Sequence, residues 1–467
     1  MAIDLRLDPG EVPLLLDLYH LTMAAGFFEH GFNDTACFSM WVRRMPASRG
    51  FLVAAGTERF LEALEEFHFD GAALDYFDSL KLFKPEFLHF LGSLRFTGEV
   101  RAVREGTIVF TEEPVLEVRA PLIEAQLLET LALNQIGMAT LIASKAARCY
   151  GAARGRRLVD FGLRRSQGAD AGLIAARSSY LAGFDGSASV LAGKRYNIPL
   201  FGTMAHSFIM VHESEREGYA NFARTFPHLT TLLVDTYDTL RGVENAAAVA
   251  RELEREGIRV QAVRLDSGDL LDLSRKSRRI LDERGLHAVA IFASGNLDEH
   301  KIDALLRAGA PIDGFGVGSA MVTSNDLPAL DAVYKLVEYQ GKPRLKCSTE
   351  KATLPGSKQV FRALDSVGRF LGDMLGLSEE SVHSVAQSFR PAPVRVEPLL
   401  ATQMREGRRV PPRPSLTDAR QVFLESWSKL EQRFKGLQRP DAYPVGHTGA
   451  LKAMLIEQRL QVPGRQA

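Results

Sequence analysis

The sequence predicts an α/β protein: a distorted α/β barrel with an N-terminal mixed α+β domain and a C-terminal helical extension. Three observations predict it. From residue 155 onward, short apolar runs end in Gly, Asp, Ser or His, and helical stretches follow them. The alternation recurs about seven times. That number suits a parallel sheet with right-handed crossovers, closed or nearly closed into a barrel rather than open on two sides. The first 120 residues lack this rhythm, and the chain beyond about 390 is Pro- and Arg-rich and then helical.

The N-terminal part reads as an extended lead, then an apolar helix in LLLDLYHLTMAAGFF. TACFSMWV at 35–42 alternates apolar with small or polar residues, the period of a strand. FLVAAGTERFLEALEEF reads as a strand or turn leading into an amphipathic helix. GEVRAVREGTIVFTEEPVLEVRA carries short β runs broken by Gly and Pro. A long helical stretch to about residue 150 bridges this domain, 1–120, to the next. The barrel is expected over 151–365. Its runs are RRLVDFG, SYLAGF, IPLFGTMAHS, TTLLVDTYDT, IRVQAVRLDSGD, VAIFASGN and IDGFGVGS. VYKLVEYQGKPR and its return read as a hairpin. Residues 366–467 are expected to be partly helical and to pack on the N-terminal domain or the barrel.

Bulk properties exclude several classes. The chain has 467 residues, 46% hydrophobic and 24% charged, the balance of an ordinary globular protein. Lys+Arg and Asp+Glu are 57 each. A nucleic-acid binder needs a basic excess, so none is expected as a partner. The three cysteines, Cys37, Cys149 and Cys347, are far apart and include no Cys-x-x-Cys pair, which predicts neither zinc nor a disulfide framework. The acidic, Pro-containing N-terminus is not that of a signal peptide, and no apolar run approaches the ~18–20 residues that span a bilayer. A cytoplasmic protein without membrane contact is expected.

Barrel enzymes carry their chemistry at the C-terminal ends of the strands. The first such end holds Phe161, Arg164 and Arg165, whose guanidinium groups suit a carboxylate or phosphate, although arginines on a loop are also common surface features. The next holds Thr203 and His206 among small residues. A lone histidine is more often structural than reactive, but small neighbours leave room for a ligand beside the ring. Arg264 and Asp266 lie two apart on a strand and so face the same side. Together they offer an anion hook and an acceptor for a hydroxyl or a metal. Asp235 and Asp238 could orient a ribose or Mg²⁺, with helix capping as the plainer role. Ser294 and Gly295 close one late strand. Gly316, Gly318 and Ser319 close the last, the usual place for a phosphate held by backbone N–H groups. These residues alone indicate a barrel enzyme acting on a phosphorylated, anionic small molecule. The reaction stays open at this level.

Taken in order, DLYHLTMA, DFGLRRSQG, GFDGSAS, GTMAHS, VRLDSGD, GFGVGSAMVT, VYKLVE and LPGSKQVFR resemble the nicotinate phosphoribosyltransferase family over roughly residues 12–365. The resemblance implies a type II phosphoribosyltransferase, a homodimer with active sites shared across its interface. It would join nicotinate to phosphoribosyl pyrophosphate with Mg²⁺, in pyridine nucleotide salvage. ATP hydrolysis would drive this ligase-like reaction through a transient phosphohistidine on His206. By the same resemblance, Tyr19 and Phe161 lie against the pyridine ring. Arg264, Arg164 and Thr203 lie near its carboxylate and the phosphates; on physical grounds, Asp residues with Mg²⁺ could hold the ribose hydroxyls and the pyrophosphate. Gly316, Gly318 and Ser319 hold the 5-phosphate, and Arg43 and Lys358 are candidates for pyrophosphate or ATP phosphates. Which residues ligate the metal is not specified. Ala188 stands where nicotinamide-using relatives carry an amide-accepting Asp, which favours nicotinate, although Asp185 is close by. The alternatives are a nicotinamide or quinolinate phosphoribosyltransferase of the same fold, or a catalytically silent nucleotide-binding barrel. No lysine at a clear strand end supports a Schiff-base aldolase.

Overall fold

The computed structural model describes residues 9–347 and 353–461. The chain divides into two compact units. One runs to Ser144 and resumes at Ala329, and the other spans Lys145–Pro328. The barrel expected over 151–365 therefore ends at Pro328, well before 365. The reason is strand pairing that local sequence cannot express. Ala332–Tyr339 joins Thr35–Val42 antiparallel, nearly three hundred residues away in sequence. Lys358–Leu364 pairs with Phe370–Leu377 in a separate four-stranded sheet.

The first unit is built on a seven-stranded antiparallel sheet. Across it run Lys342–Pro343, Ala332–Tyr339, Thr35–Val42, Pro114–Pro121, Glu99–Val103, Leu400–Arg405 and Arg408–Arg409. Thr35–Val42 is a strand, as its alternation predicts, and every residue after Thr35 is buried, because the strand is central in its sheet. Its Ser39 is satisfied internally by Glu117, whose Oε1 accepts at 2.6 Å. Of the hairpin expected over 333–365, a short one forms: Ala332–Tyr339 turns through Gln340 and Gly341, both at positive φ, onto Lys342–Pro343, while the return Lys358–Leu364 lies in the other sheet. Helices Leu18–Glu29, Thr57–Glu65, Gly71–Ser79 and Pro85–Ser93 bury Leu21, Phe60, Phe77 and Phe87 in one apolar core. The segment 366–467, read as partly helical, does hold helices at Leu416–Lys429 and Gly449–Gln461. Among its described residues it also supplies five strands, one of them Leu400–Arg405 beside Glu99–Val103.

The second unit begins inside the long helix Glu129–Ala153. It carries six parallel strands: β1 Arg157–Asp160, β2 Gly186–Ser187, β3 Thr231–Leu233, β4 Ala262–Leu265, β5 Ala290–Ala293 and β6 Gly314–Val317. Their order is β2-β1-β6-β5-β4-β3, and Leu200 adds a single parallel bridge beside Ser187. Read as a ring, this is a barrel opened between Leu200 and β3, hence distorted and not closed. SYLAGF is a correction. Ser179, Tyr180 and Leu181 end the helix Ala169–Leu181, and GFDGSAS supplies the strand instead. Alternate residues face the helices: Val263, Leu265, Ile291, Phe315 and Val317 are fully buried there. The helix Thr239–Glu254 answers with Val243, Ala246, Ala247, Ala250 and Leu253 on one stripe. Each buried Val or Leu contributes about 1.5–3 kcal/mol before the entropy of ordering it. That packing fixes the strand ends in place.

Candidate active site

The inner face of the opened barrel is unusual for its lack of side chains. β6 presents Gly314, Gly316 and Gly318 inward, where a barrel normally stacks branched residues in layers. Gly316 is forced by its neighbour: a Cβ there would lie 2.4 Å from the Phe161 ring. A cavity of about 530 Å³ opens inside the barrel, lined largely from the N-terminal ends of the strands by Arg157, Thr231, Ala262, Ala290 and Gly314, and Thr203 is the member of the strand-end cluster that reaches it. Phe161, Phe292, Phe201, Val159 and Thr203 are among its walls. The Phe161 and Phe292 rings are tilted, with centroids 6.0 Å apart.

Arg264 ties the cluster together. Its Nε donates to Ser294 Oγ at 2.9 Å, one terminal nitrogen to Thr203 Oγ1 at 3.1 Å, and the other to Asp266 Oδ1 at 2.8 Å. Its guanidinium lies 5.3 Å from the Phe161 ring centroid, a cation–π distance. Ser294 also donates to Asp266 Oδ1. Burial alone would push the Asp266 carboxyl up. The hydrogen bonds from Ser294 and Arg264, the arginine charge and a smaller pull from His206 outweigh it and hold the group below the usual aspartate range. A charged, fixed carboxylate beside a fixed guanidinium can orient hydroxyl and anionic groups of one substrate.

Asp235 extends the cluster. Its Oδ2 accepts from the Asp266 N–H at 3.1 Å and from the Ser267 hydroxyl at 2.6 Å. Its Oδ1 is buried and has no hydrogen-bond partner among the described residues. A buried carboxylate oxygen without a partner costs free energy, and it can accept from a ligand or coordinate a cation. Asp238, by contrast, caps the helix Thr239–Glu254 through the Arg241 N–H at 2.9 Å, so the plainer role applies there. Gly295 closes β5 at φ +95°, where a Cβ would strike the Asp266 carbonyl at 2.0 Å. His206 opens the short helix His206–Met210, and its Nδ1 lies 3.3 Å from Thr236 Oγ1.

The remaining predicted residues are placed as follows. Gly318 and Ser319 lead from β6 into the turn Ser319–Val322. Arg164 is exposed on the 3-10 turn Leu163–Arg165 and outside the Arg264 network. Ala188 is exposed, and its N–H donates to the Asp160 carbonyl at 2.9 Å, beside the C-terminal end of β1. Asp185 instead accepts from Leu158 N at 2.8 Å, near the other end of that strand. Three candidates belong to the first unit. Tyr19 is an exposed ring on Leu18–Glu29. Arg43 pairs with Asp331 at 3.6 Å. Lys358 is buried, and its ammonium donates to the Leu354 and Gly356 carbonyls at 3.1 and 2.6 Å. It reads as a structural anchor, although it also borders a smaller cavity with His447 and Arg459.

Two features escaped sequence reasoning. Thr236 sits beside His206, and its only signal was adjacency to Asp235. Phe292 lines the cavity with Phe161, and alternation along VAIFASGN would have found it, since Phe292 shares a face with Ser294.

Fold and cluster together define an α/β-barrel enzyme of the type II phosphoribosyltransferase class. Three family descriptions match: the nicotinate phosphoribosyltransferase N-terminal domain over residues 14–137, the nicotinate phosphoribosyltransferase family over 156–363, and its C-terminal domain over 357–455. The chain belongs to the nicotinate phosphoribosyltransferase family. It is 46% identical to a nicotinate phosphoribosyltransferase of Mycobacterium tuberculosis, over 92% of this chain and 90% of that protein. It is 35% identical to the human nicotinate phosphoribosyltransferase, over 95% and 96%. The crystal structure of the human enzyme superposes with a TM-score of 0.83 at 33% identity, covering 94% of this chain and 99% of that one. A nicotinate-nucleotide pyrophosphorylase from Pyrococcus furiosus gives 0.73 at 25% identity, covering 92% and 99%. Among the described residues no helix is long and apolar enough to cross a membrane.

Proposed function

We propose that the chain is an ATP-coupled nicotinate phosphoribosyltransferase that makes nicotinate mononucleotide and pyrophosphate from nicotinate and phosphoribosyl pyrophosphate. The observation that carries this reading is the four-way setting of Arg264, between Phe161, Thr203, Ser294 and Asp266. The pyridine ring lies against Phe161, and Arg264 and Thr203 face its carboxylate. Loss of pyrophosphate leaves positive charge on the ribose C1 carbon. Asp266 and Asp235 hold the ribose so that the pyridine nitrogen is aligned to attack. Gly316, Gly318 and Ser319 give the 5-phosphate a close approach to the backbone.

Mg²⁺ fits the donor set. The bare Oδ1 of Asp235 and the neighbouring Asp266 are hard oxygen donors. No group of three or more metal-ligating side chains occurs among the described residues. Magnesium characteristically takes only one or two carboxylates and completes its shell with phosphates and water. Bound there, it would neutralise charge on the departing pyrophosphate.

ATP hydrolysis through a phosphohistidine on His206 belongs to the same reading, as do a homodimer with shared sites and a cytoplasmic setting. Nicotinate is favoured over nicotinamide by Ala188, which offers no amide acceptor, while Asp185 is engaged by Leu158 N. The test measures nicotinate mononucleotide with and without ATP, in wild type and His206→Ala, with nicotinamide as a competing base. ATP-stimulated product from nicotinate, lost in the variant, is expected. Faster turnover of nicotinamide, or full ATP stimulation without His206, would overturn the corresponding part.

A further inference from the structure

One side chain outside every strand-end reading touches His206. Thr236 follows Asp235 just beyond the end of β3, and its Oγ1 is 3.3 Å from the Nδ1 of His206. Both side chains are half-buried, which limits competition from water. The adjacent Asp235 spends its Oδ2 on Asp266 N and Ser267, so the ring's polar contact at Nδ1 falls to the threonine hydroxyl. Asp266 is close enough to feel a charge on the His206 ring.

A neutral imidazole has one N–H and one nitrogen lone pair, and only the lone pair can attack phosphorus. The partner on one ring nitrogen decides which nitrogen stays free. We propose that Thr236 is a positioning residue: its hydroxyl oxygen accepts from the His206 Nδ1–H and leaves Nε2 as the nitrogen that takes the phosphoryl group. The inference rests on the ATP-coupled reading above. In the step, the Nε2 lone pair forms the N–P bond to the γ-phosphorus of ATP. The bond from that phosphorus to the β–γ bridging oxygen breaks, and ADP keeps the electron pair. The proton stays on Nδ1, so the ring becomes cationic, with Thr236 holding the proton and the Asp266 carboxylate nearby. When water attacks the phosphorus, the N–P pair returns to Nε2, phosphate leaves and the water's surplus proton passes to solvent.

The test follows acid-labile phosphoenzyme formed from γ-labelled ATP, in wild type, Thr236→Val and Thr236→Ser. Valine keeps the shape and removes the acceptor. It should slow phosphoenzyme formation about tenfold, the order of one lost hydrogen bond. Serine keeps the hydroxyl and should stay within about twofold of wild type, which a purely steric role for the threonine methyl would not produce. Alkaline digestion of the labelled wild type should give the Nε2 isomer of phosphohistidine. Unchanged labelling in Thr236→Val, or the Nδ1 isomer in wild type, overturns the inference and leaves the phosphohistidine reading standing. Absence of label in wild type overturns that reading itself.

Discussion

Each unit holds an arginine clamped on an aspartate beside an aromatic ring, and the two clusters differ in what surrounds them. In the first unit, Arg362 grips Asp373 through two nitrogens, Nη2 at 2.5 Å and Nε at 3.0 Å. A third nitrogen donates to the Ile108 carbonyl at 2.7 Å, Tyr443 donates to Asp373 at 3.0 Å, and Phe370 lies 4.3 Å from the guanidinium. The side chains of Arg362 and Asp373 are 2% and 0% exposed. In the second unit, Arg264 and Asp266 make a similar pair, but their side chains are 13% and 30% exposed. One pair is sealed and joins strands. The other keeps a surface for a visitor. The residue types alone do not separate a structural ion pair from a functional one. Access does, since both clusters include a buried carboxylate oxygen without a hydrogen-bond partner among the described residues, Glu113 Oε1 in one and Asp235 Oδ1 in the other.

The sharpest way to break the comparison is to remove each arginine. Arg362→Ala leaves Asp373 buried and uncompensated, which costs about 3–5 kcal/mol. Denaturant unfolding should show the loss, and a shift under 1 kcal/mol would mean that the cluster is not structural. Arg264→Ala should lower kcat/KM about 100-fold or more with folding intact, if its groups act on substrate as proposed. Activity within threefold of wild type would remove Arg264 from the site.

The next test uses pH, since the clusters titrate in opposite senses. Burial, then the nearby Asp373 charge, push the Glu113 carboxyl well above its usual range. Its stabilising contribution is complete below the ordinary glutamate value. It is lost as pH rises toward the folded value, because the unfolded carboxyl ionises first. Asp266 is held low, so its contribution is present above the ordinary aspartate value and lost as pH falls through the folded one. Unfolding midpoints followed from acid to neutral pH should therefore show a decline that Glu113→Gln flattens. An identical slope in both proteins would contradict the protonated assignment. The smallest effect expected is from Asp238→Ala, about 1 kcal/mol for a lost helix cap, with turnover unaltered. Loss of activity there would return Asp238 to the site beside Asp235.

Much of this site was legible because strand exits carry short polar words. Arg264, Asp266, Asp235, Ser294 and Thr203 each followed an apolar run, and the structure gathers all five. What could not be read depends on pairing at long range. The barrel's end at Pro328 is set by Ala332–Tyr339 joining Thr35–Val42. SYLAGF has strand-like composition, yet its first three residues finish a helix, since an apolar run that short fits either state. Tyr19, Arg43 and Lys358 came from family resemblance, and the geometry within their own unit gives Lys358 two carbonyls to hold and leaves Tyr19 exposed.

The glycine face of β6 has one more consequence. A filled barrel owes its rigidity to its own side chains. Where Gly314 and Gly316 stand, the Phe161 and Phe292 rings pack directly on the glycine backbone, and the rest of their surface borders the cavity. In the proposed reaction, a base lying against Phe161 would add to the contacts that hold the barrel. Melting temperature should then rise with base concentration as mass action requires, and heat resistance becomes a direct gauge of how well a given ring fits.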